Sequence, residues 1–313
     1  MPDVRLKERV IRLGRQLEAP TLSVLTPFHR DDPTPLLKRL EGAPDGVEFV
    51  LLDDGSGSAH LLADVLSHAE KLGAPARIVV LERNGGRAAG RNRLIAEARG
   101  EYVLFLDADM LPDSDEFLAN WLDVIKRQRP FAAFGGLSVR QSKATPETAF
   151  HLDLFERSDC HSARTRAQSP ARYTAAANLL VRRDVFAQIQ FDDSFSGWGW
   201  EDVDWALRAA RHAPILHIDN SATHAGLDSV ETLMRKSREA GPNFARLAAK
   251  HPNEITRYPA FRMANALKRA PALTALRAAF SWLARDPLEA SPMPLRRVAF
   301  KLYRASHYAE HLA

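Results

Sequence analysis

Two acidic clusters about ninety residues apart carry the side chains that could do chemistry in this 313-residue chain. They are Asp107-Ala108-Asp109 and Gly197-Trp198-Gly199-Trp200-Glu201-Asp202. An apolar run, Tyr102-Val103-Leu104-Phe105-Leu106, leads into the first and predicts a buried strand. Strand side chains alternate faces, so Asp107 and Asp109 are expected on one side where the chain leaves a sheet. Two carboxylates in that position suit a hard divalent cation with oxygen ligands. The second cluster sets a carboxyl pair behind two glycines and two tryptophans, where backbone bends tightly and indole rings make an apolar wall. Together they suggest a metal site and a catalytic base. Plainer readings account for each cluster taken singly. An Asp-x-Asp after a strand also serves as a turn or helix cap. Gly-Trp-Gly-Trp also forms structural aromatic corners, and Glu-Asp before an apolar run complements a helix N-terminus.

The elements that must position these residues alternate in type. A charged leader, Val4 to Leu17, reads as helical. Leu22 to Thr26 predicts a first strand, ended by Pro27, and Val47 to Leu52 a second, ended by the turn-rich Asp53-Asp54-Gly55-Ser56-Gly57. A helix over Ser58 to Leu72, a strand over Arg77 to Leu81, and a helix over Arg87 to Arg99 closed by Gly100 follow. Continuous apolar strands alternating with helices predict an α/β fold with a mostly parallel sheet covered on both faces. Ligands of such sheets bind at the carboxyl ends of the strands. Thr26-Pro27-Phe28-His29, Asp53 to Ser56 and Asp107 to Asp109 all fall there. Ser142 to Arg172 is polar, with no strand pattern, as expected of an acceptor-side loop or helix. Asn178 to Val181 resumes the sheet, and Ile215 to Ile218 predicts a last strand.

Composition narrows the class. Hydrophobic residues at 45% and charged residues at 26% are ordinary for a globular protein. A net charge of +4 fits an anionic small ligand or a membrane surface and is too slight to argue for nucleic acid. One cysteine, Cys160, excludes an intrachain disulfide framework. No stretch approaches the roughly 20 apolar residues that span a bilayer. The segment Arg5 to Glu18 lacks the apolar core of a signal peptide, so a cytoplasmic protein is expected. From Pro252 onward basic residues outnumber acids and alternate with apolar ones, which predicts a basic helical extension (252–313) after a catalytic domain (1–251). Basic amphipathic helices with aromatic residues lie on anionic membranes, peripheral contact being one expectation and a solvated helical cap the other.

Five motifs in register resemble family 2 glycosyltransferases: Thr26-Pro27-Phe28, Asp53-Asp54-Gly55-Ser56, Asn84 to Asn92, Asp107-Ala108-Asp109 and Gly197 to Asp202. The match runs from about Thr21 to Gly226. The last motif, with Asp204, looks like the Gly-Trp-Gly-x-Glu-Asp signature of β1,4-galactosyltransferases and chondroitin-polymerase-type enzymes. The resemblance implies a GT-A fold, a nucleotide-sugar donor, a divalent cation and inversion at the anomeric carbon. It assigns Asp54 to the ring N–H of the base, which suits uracil over cytosine and would equally meet guanine, with Pro27 and Phe28 lining the nucleoside pocket. Arg91 and Asn92, on a helix that begins near Gly86, would meet the phosphates. Asp109 would ligate the metal and Asp107 the ribose or a metal-bound water. His224, after the last strand, would be the second protein ligand, which favours Mn²⁺ over Mg²⁺. Asp202 would be the base, Glu201 would bond a sugar hydroxyl, and Trp198 or Trp200 would stack on a sugar ring. Asn178 joins the substrate pocket, whereas Asp204 and Trp205 belong to the following helix.

The resemblance thus implies a UDP-sugar donor and a glycan or lipid-linked acceptor. The Gln-x-x-Arg-Trp motif and membrane helices of processive relatives are absent, so a single-residue, non-processive transfer is expected. Two other enzymes of similar fold class lack their marks here. A sugar-phosphate nucleotidyltransferase needs a Gly-rich, Arg-bearing loop after the first strand, and a hydride-transfer enzyme needs Gly-x-Gly-x-x-Gly. The alternative from a different class is a degenerate module that binds nucleotide-sugar, or serves as a scaffold, without catalysis.

Overall fold

The computed structural model describes residues 7–312. In order, the strands are β1 (Glu8–Leu13), β2 (Leu22–Phe28), β3 (Val47–Asp53), β4 (Ala76–Leu81), β5 (Tyr102–Leu106), β6 (Met110–Pro112), β7 (Ala132–Phe134), β8 (Leu137–Ser138), β9 (Asn178–Arg182), β10 (Ile215–His217) and β11 (Ala222–His224). The helices are α1 (Thr34–Arg39), α2 (Ala59–Ala69), α3 (Arg87–Glu97), α4 (Phe117–Gln128), α5 (Ala149–Ser158), α6 (Ala163–Arg166), α7 (Pro170–Tyr173), α8 (Glu201–Ala209), α9 (Val230–Lys250), α10 (Pro252–Ile255), α11 (Pro259–Leu267), α12 (Leu273–Arg285) and α13 (Met293–His311).

The chain divides into two compact units. The first comprises residues 1–142, 159–193 and 202–226; the second comprises 143–158, 194–201 and 227–313. The helices expected after residue 252 thus share a unit with α5 and α9, not with one another alone.

An eight-stranded sheet forms the centre of the first unit, in the order β1-β4-β3-β2-β5-β9-β7-β10. Neighbours from β4 to β5 run parallel. Strand β9 enters antiparallel to both β5 and β7, and β10 is parallel to β7. The mostly parallel sheet expected of a GT-A fold is therefore present, with two strands reversed. Alternation along each strand builds two cores. Val47, Phe49 and Leu51 of β3 join Tyr102, Leu104 and Leu106 of β5 on one face. Val50 and Leu52 join Val103 and Phe105 on the other. With both faces buried, these strands read as nearly continuous apolar runs, broken in β3 by Glu48, whose buried carboxylate pairs with Arg77 at 2.8 Å.

Three local expectations are corrected. The leader is not helical where it is described: Glu8 to Leu13 forms β1, antiparallel to β4. Val10 and Ile11 favour a strand, and pairing satisfies backbone groups that β4 would otherwise leave open at its edge. Val4 to Leu6 lie outside the described residues. Strand β2 continues through Pro27 to Phe28, because its pairing with β5 stops at Leu25 and the missing N–H breaks no bond on that side. Helix α3 ends at Glu97 with Ala98 extended, so Gly100 is not its cap. Gly100 lies against β2 instead, where a Cβ would come within 2.6 Å of the Ser23 nitrogen.

A second sheet of the first unit, β6-β11-β8, has three short strands. Asp113 pins it. Its carboxylate accepts from Ser138 Oγ (2.6 Å), Thr223 Oγ1 (2.6 Å) and Ser221 Oγ (2.7 Å). Burial pushes that carboxyl up, but these hydroxyls outweigh it and hold it below the usual range. The second unit is helical. Phe150 and Leu154 of α5, Leu233 and Met234 of α9, Ala284 of α12 and Phe300 and Tyr303 of α13 share its core. Among the described residues no helix is long and apolar enough to cross a membrane.

Candidate active site

Asp107 and Asp109 lie in the turn between β5 and β6, not on the strand itself. Met110 N donates to Asp107 O at 3.0 Å and closes that turn. The turn separates the two carboxyls and gives each its own partner. Asp109 Oδ2 lies 3.2 Å from His224 Nε2. His224 ends β11, and Ala225 N donates to Asp109 O at 2.9 Å, so backbone as well as side chain ties the two segments. Burial pushes the Asp109 carboxyl up, but the His224 bond and charge, with Arg87 further off, leave it below the ordinary range. Gly226 completes this corner: a Cβ there would stand 3.0 Å from Asp109 Cγ and collide with Oδ2.

Asp107 faces two arginines of α3. Arg91 Nη2 is 3.2 Å from Oδ1, and Arg87 Nη2 is 3.6 Å from Oδ2. Their exposures differ sharply. The Arg87 side chain is 35% exposed, whereas Arg91 is 2% exposed. Arg91 was expected at the phosphates. Its guanidinium instead joins two carboxylates, with Nη1 3.2 Å from Asp202 Oδ1, and lies over the Phe191 ring at 5.6 Å. Sequence reasoning passed over Arg87, the first residue of α3 after Gly86, which is the more open cation beside Asp107.

Asp202 sits in the first turn of α8. Its Oδ2 accepts from Ala176 N at 3.1 Å, which with Arg91 fixes the carboxylate plane. Asp204 and Trp205 belong to α8, as expected. Asp204 pairs with Arg208 at 2.8 Å, and Trp205, fully buried, donates to Ile189 O.

Asp53 and Asp54 divide their work. Asp53 binds Ser56 N (2.7 Å) and Ser56 Oγ (2.8 Å), the ordinary chemistry of a turn. Asp54 Oδ1 accepts from Gly85 N at 2.6 Å and Oδ2 from Gly86 N at 3.2 Å. Gly55, with φ +73°, lets this loop lie against the backbone at Arg83 and Asn84. Burial raises the Asp54 carboxyl even though both N–H groups pull it down. Phe28 is buried in the core, while Pro27 is half-buried at the strand end.

Two residues expected at the ligand are committed elsewhere. Asn92 clamps the Phe191 backbone, Nδ2 donating to O at 2.8 Å and Oδ1 accepting from N at 3.0 Å. Asn178 is fully buried, and its Nδ2 donates to Gly136 O and Asn220 O, each at 2.9 Å. Both hold backbone segments together.

The tryptophan segment belongs to the second unit. Asn243 of α9 gathers it, donating to Ser196 O (2.9 Å), Gly199 O (3.0 Å) and Trp198 O (3.3 Å). No sequence signal singled out Asn243. Trp200 has a φ of +77°, which side-chain-bearing residues rarely adopt. Its ring packs 5.0 Å from Phe244 and 5.9 Å from Tyr308, contacts that offset the strain. Lys236 Nζ lies 4.0 Å over the Trp198 ring and 2.6 Å from Asp228 Oδ2. Glu201 is buried at the start of α8.

Known proteins bear on this arrangement. The family model described as Glycosyl transferase family 2 matches residues 23–190. A glycosyltransferase for teichuronic acid biosynthesis, TuaG of Bacillus subtilis, is 32% identical over 108 residues, 34% of this chain and 40% of that protein. The amylovoran biosynthesis glycosyltransferase AmsB of Erwinia amylovora is 26% identical over 167 residues, 52% of this chain and 54% of that protein. The matched segments thus span about half of these relatives or less. Among solved structures, the mannosyltransferase PcManGT of Pyrobaculum calidifontis, in complex with GDP-Man and Mn²⁺, superposes with a TM-score of 0.57. It is 19% identical and covers 93% of this chain and 87% of its own. TarS 1–349 of S. aureus in complex with UDP gives 0.53 at 18% identity, covering 92% and 89%. At such identities the structures establish the fold, and it is the GT-A fold. The family match covers more than half of the sequence and takes in the elements that bear Asp54, Arg91, Asp107 and Asp109, so this chain belongs to glycosyl transferase family 2.

Proposed function

We propose that the chain transfers a single sugar, with inversion, from a UDP-sugar to a hydroxyl of a glycan or lipid-linked acceptor, assisted by a divalent cation and working in the cytoplasm. The observation that carries this reading is the pairing of Asp109, just past the end of β5, with His224 of β11 at 3.2 Å, with Asp107 on the same turn as Asp109 and Arg87 of α3 3.6 Å from Asp107. An acid, an imidazole and an open guanidinium meet there, the groups a metal-bound diphosphate needs.

The residues fit a metal that is shared with substrate. Among the described residues there is no group of three or more His, Cys, Asp or Glu arranged to hold an ion alone. Asp109 and His224 would supply two ligands and leave the other positions to diphosphate oxygens and water, as small hard cations prefer. His224 favours Mn²⁺ over Mg²⁺. When bound, the ion would supply Lewis-acid charge against the departing diphosphate.

The chain's own groups do the rest. Arg87, at the N-terminus of α3, would meet phosphate charge. Asp54 retains carboxylate lone pairs beyond the two used by Gly85 and Gly86, and a ring imide N–H suits them. Such an acceptor suits uracil and rejects cytosine, which has no ring N–H; guanine offers the same donor, and UDP is the donor taken here. Asp202, held in one orientation by Arg91 and Ala176 N, would take the proton of the acceptor hydroxyl as it attacks the anomeric carbon. Retention of both Asp109 and Asp202 argues against a non-catalytic scaffold.

The test is a thermal-shift panel of UDP, GDP and their sugars with Mn²⁺ or with EDTA, followed by a transfer assay on Asp202→Asn. A ligand confined to the folded state raises the melting temperature by mass action. Stabilisation by UDP species that needs Mn²⁺, with an Asp202→Asn variant that binds donor and does not turn over, supports the reading. Stabilisation by GDP species alone overturns the base assignment, and no response to any nucleotide overturns the whole.

A further inference from the structure

Large apolar side chains open to solvent are confined, among the described residues, to one helical hairpin. They are Leu276 (36% exposed), Trp282 (50%), Leu288 (71%), Leu295 (44%) and Val298 (54%), all on α12, on α13 or in the turn between them. The hairpin is fixed at that turn: Arg296 Nε donates to Ala284 O at 3.1 Å, and its Nη1 lies 3.9 Å from Asp286. Asp286 in turn accepts from Ser291 N at 2.9 Å. These exposed groups sit on a built element.

The inward face of the hairpin is already satisfied. Ala284, Ala299, Phe300 and Tyr303 are buried against α5 and α9. The outward face of α12 carries Ala275, Ala278, Ala279 and Trp282, all exposed and at the spacing of one helical stripe. Leu295 and Val298 continue an apolar stripe on α13, with half-buried Lys301 one step further along. Core packing explains none of these outward residues. A cluster of this kind marks an interaction surface.

Charge selects the partner. Residues 252–313 hold ten Lys and Arg against four Asp and Glu, a net of +6 in a chain whose total is +4. The remainder of the chain is therefore slightly acidic, and the positive charge is concentrated in the segment that carries the apolar face. Arg262, Lys268 and Arg269 are exposed on α11 and the turn before α12. Arg277, Arg285, Arg296 and Arg297 of the hairpin are paired with Glu310, Glu231, Asp286 and Asp153, so the exposed charge that selects an anionic partner is that of Arg262, Lys268 and Arg269. We propose that the α12–α13 hairpin is a docking surface for an anionic lipid bilayer. Trp282, Leu288 and Leu295 enter the headgroup boundary, and the neighbouring basic side chains face anionic headgroups. No helix among the described residues is long and apolar enough to cross a bilayer, and the contact proposed is interfacial. It does not rest on the donor or metal assignments.

The experiment is co-sedimentation of the full chain with phosphatidylcholine vesicles, with and without phosphatidylglycerol, at low and high salt. Binding that requires the anionic lipid and weakens at high salt is expected. A Trp282→Ser/Leu288→Glu double variant should bind at least about tenfold more weakly. Its melting temperature should stay unchanged, because both side chains are exposed. Lys268→Glu/Arg269→Glu should weaken binding to the anionic vesicles alone. Equal binding to both vesicle types, no binding, or full binding by the double variant overturns the proposal. So does a dimer in light scattering that the double variant disperses, which would give the face to a second copy.

Discussion

Arg91 Nη1 stands 3.2 Å from Asp202 Oδ1, and the same guanidinium reaches Asp107 at 3.2 Å through its other terminal nitrogen. One buried cation therefore joins the acid at the end of β5 to the acid at the start of α8. Two segments nearly a hundred residues apart in sequence are positioned by a single side chain.

Arg91→Met should accordingly damage stability and turnover together. It leaves Asp202 and Asp107 beside an apolar chain, a loss on the order of 3–5 kcal/mol for breaking a buried charged network. Arg91→Lys, with a point charge in place of a planar fork, should recover part of the stability and less of the activity. Urea melts and transfer rates of the two variants check this. Equal activity in Arg91→Met and the parent would sink the positioning role.

Gly226 supplies a sharper probe of the metal assignment. A methyl group there collides with the Asp109 carboxylate while the backbone stays in an ordinary conformation. Gly226→Ala should therefore behave like Asp109→Ala in its Mn²⁺ requirement, raising the concentration for half-maximal activity at least about tenfold. His224→Gln should act in the same direction. Mn²⁺ titrations of transfer measure all three, and an unchanged requirement in Gly226→Ala would separate Asp109 from the ion.

Much of this was legible because the strands are buried on both faces. Phe49 to Leu52 and Tyr102 to Leu106 are unbroken apolar runs, and the ends of their strands could be read to within a residue. Strands β6, β8 and β11 have two or three residues each, too few to show any period, so His224 looked like a loop residue. The fate of Arg91 was readable in principle. Ala88, Arg91 and Leu94 recur at i, i+3 and i+6 on the buried stripe of α3, which turns Arg91 inward. Asn178 was not readable, since its partners Gly136 and Asn220 each lie 42 residues away. Trp200 misled for a related reason: its ring partners sit on α9 and α13, and no local pattern points to them.

Asp113 offers a test of the small sheet. Its carboxylate collects three hydroxyls and the Gln141 amide, so Asp113→Ala strands several buried donors at once. A loss of about 2–3 kcal/mol is expected from unsatisfied polar groups. Because Thr223 is next to His224, the Mn²⁺ requirement should rise as well. A folded variant with unchanged metal dependence would show that β11 is held by its backbone pairing alone.

The pH dependence of stability should be set in part by His217. The residue lies on β10, 8% exposed, edge-on to Phe134 and beside Arg166. Burial, then the charge of Arg166, depresses its pKa to about 4. Above about pH 6.5 the ring is neutral folded and unfolded, so it contributes its full stability there. As pH falls from about 6.5 towards 4, the unfolded chain binds a proton that the native state refuses, and stability is lost on the order of 3 kcal/mol. His307, also depressed to about 4 by burial and then by Arg277, adds a loss of the same sign. Urea denaturation across this window should show His217→Gln with a flatter profile than the parent, though still sloping because His307 remains. A parent profile that is level between these limits would mean that His217 takes up its proton in the folded protein.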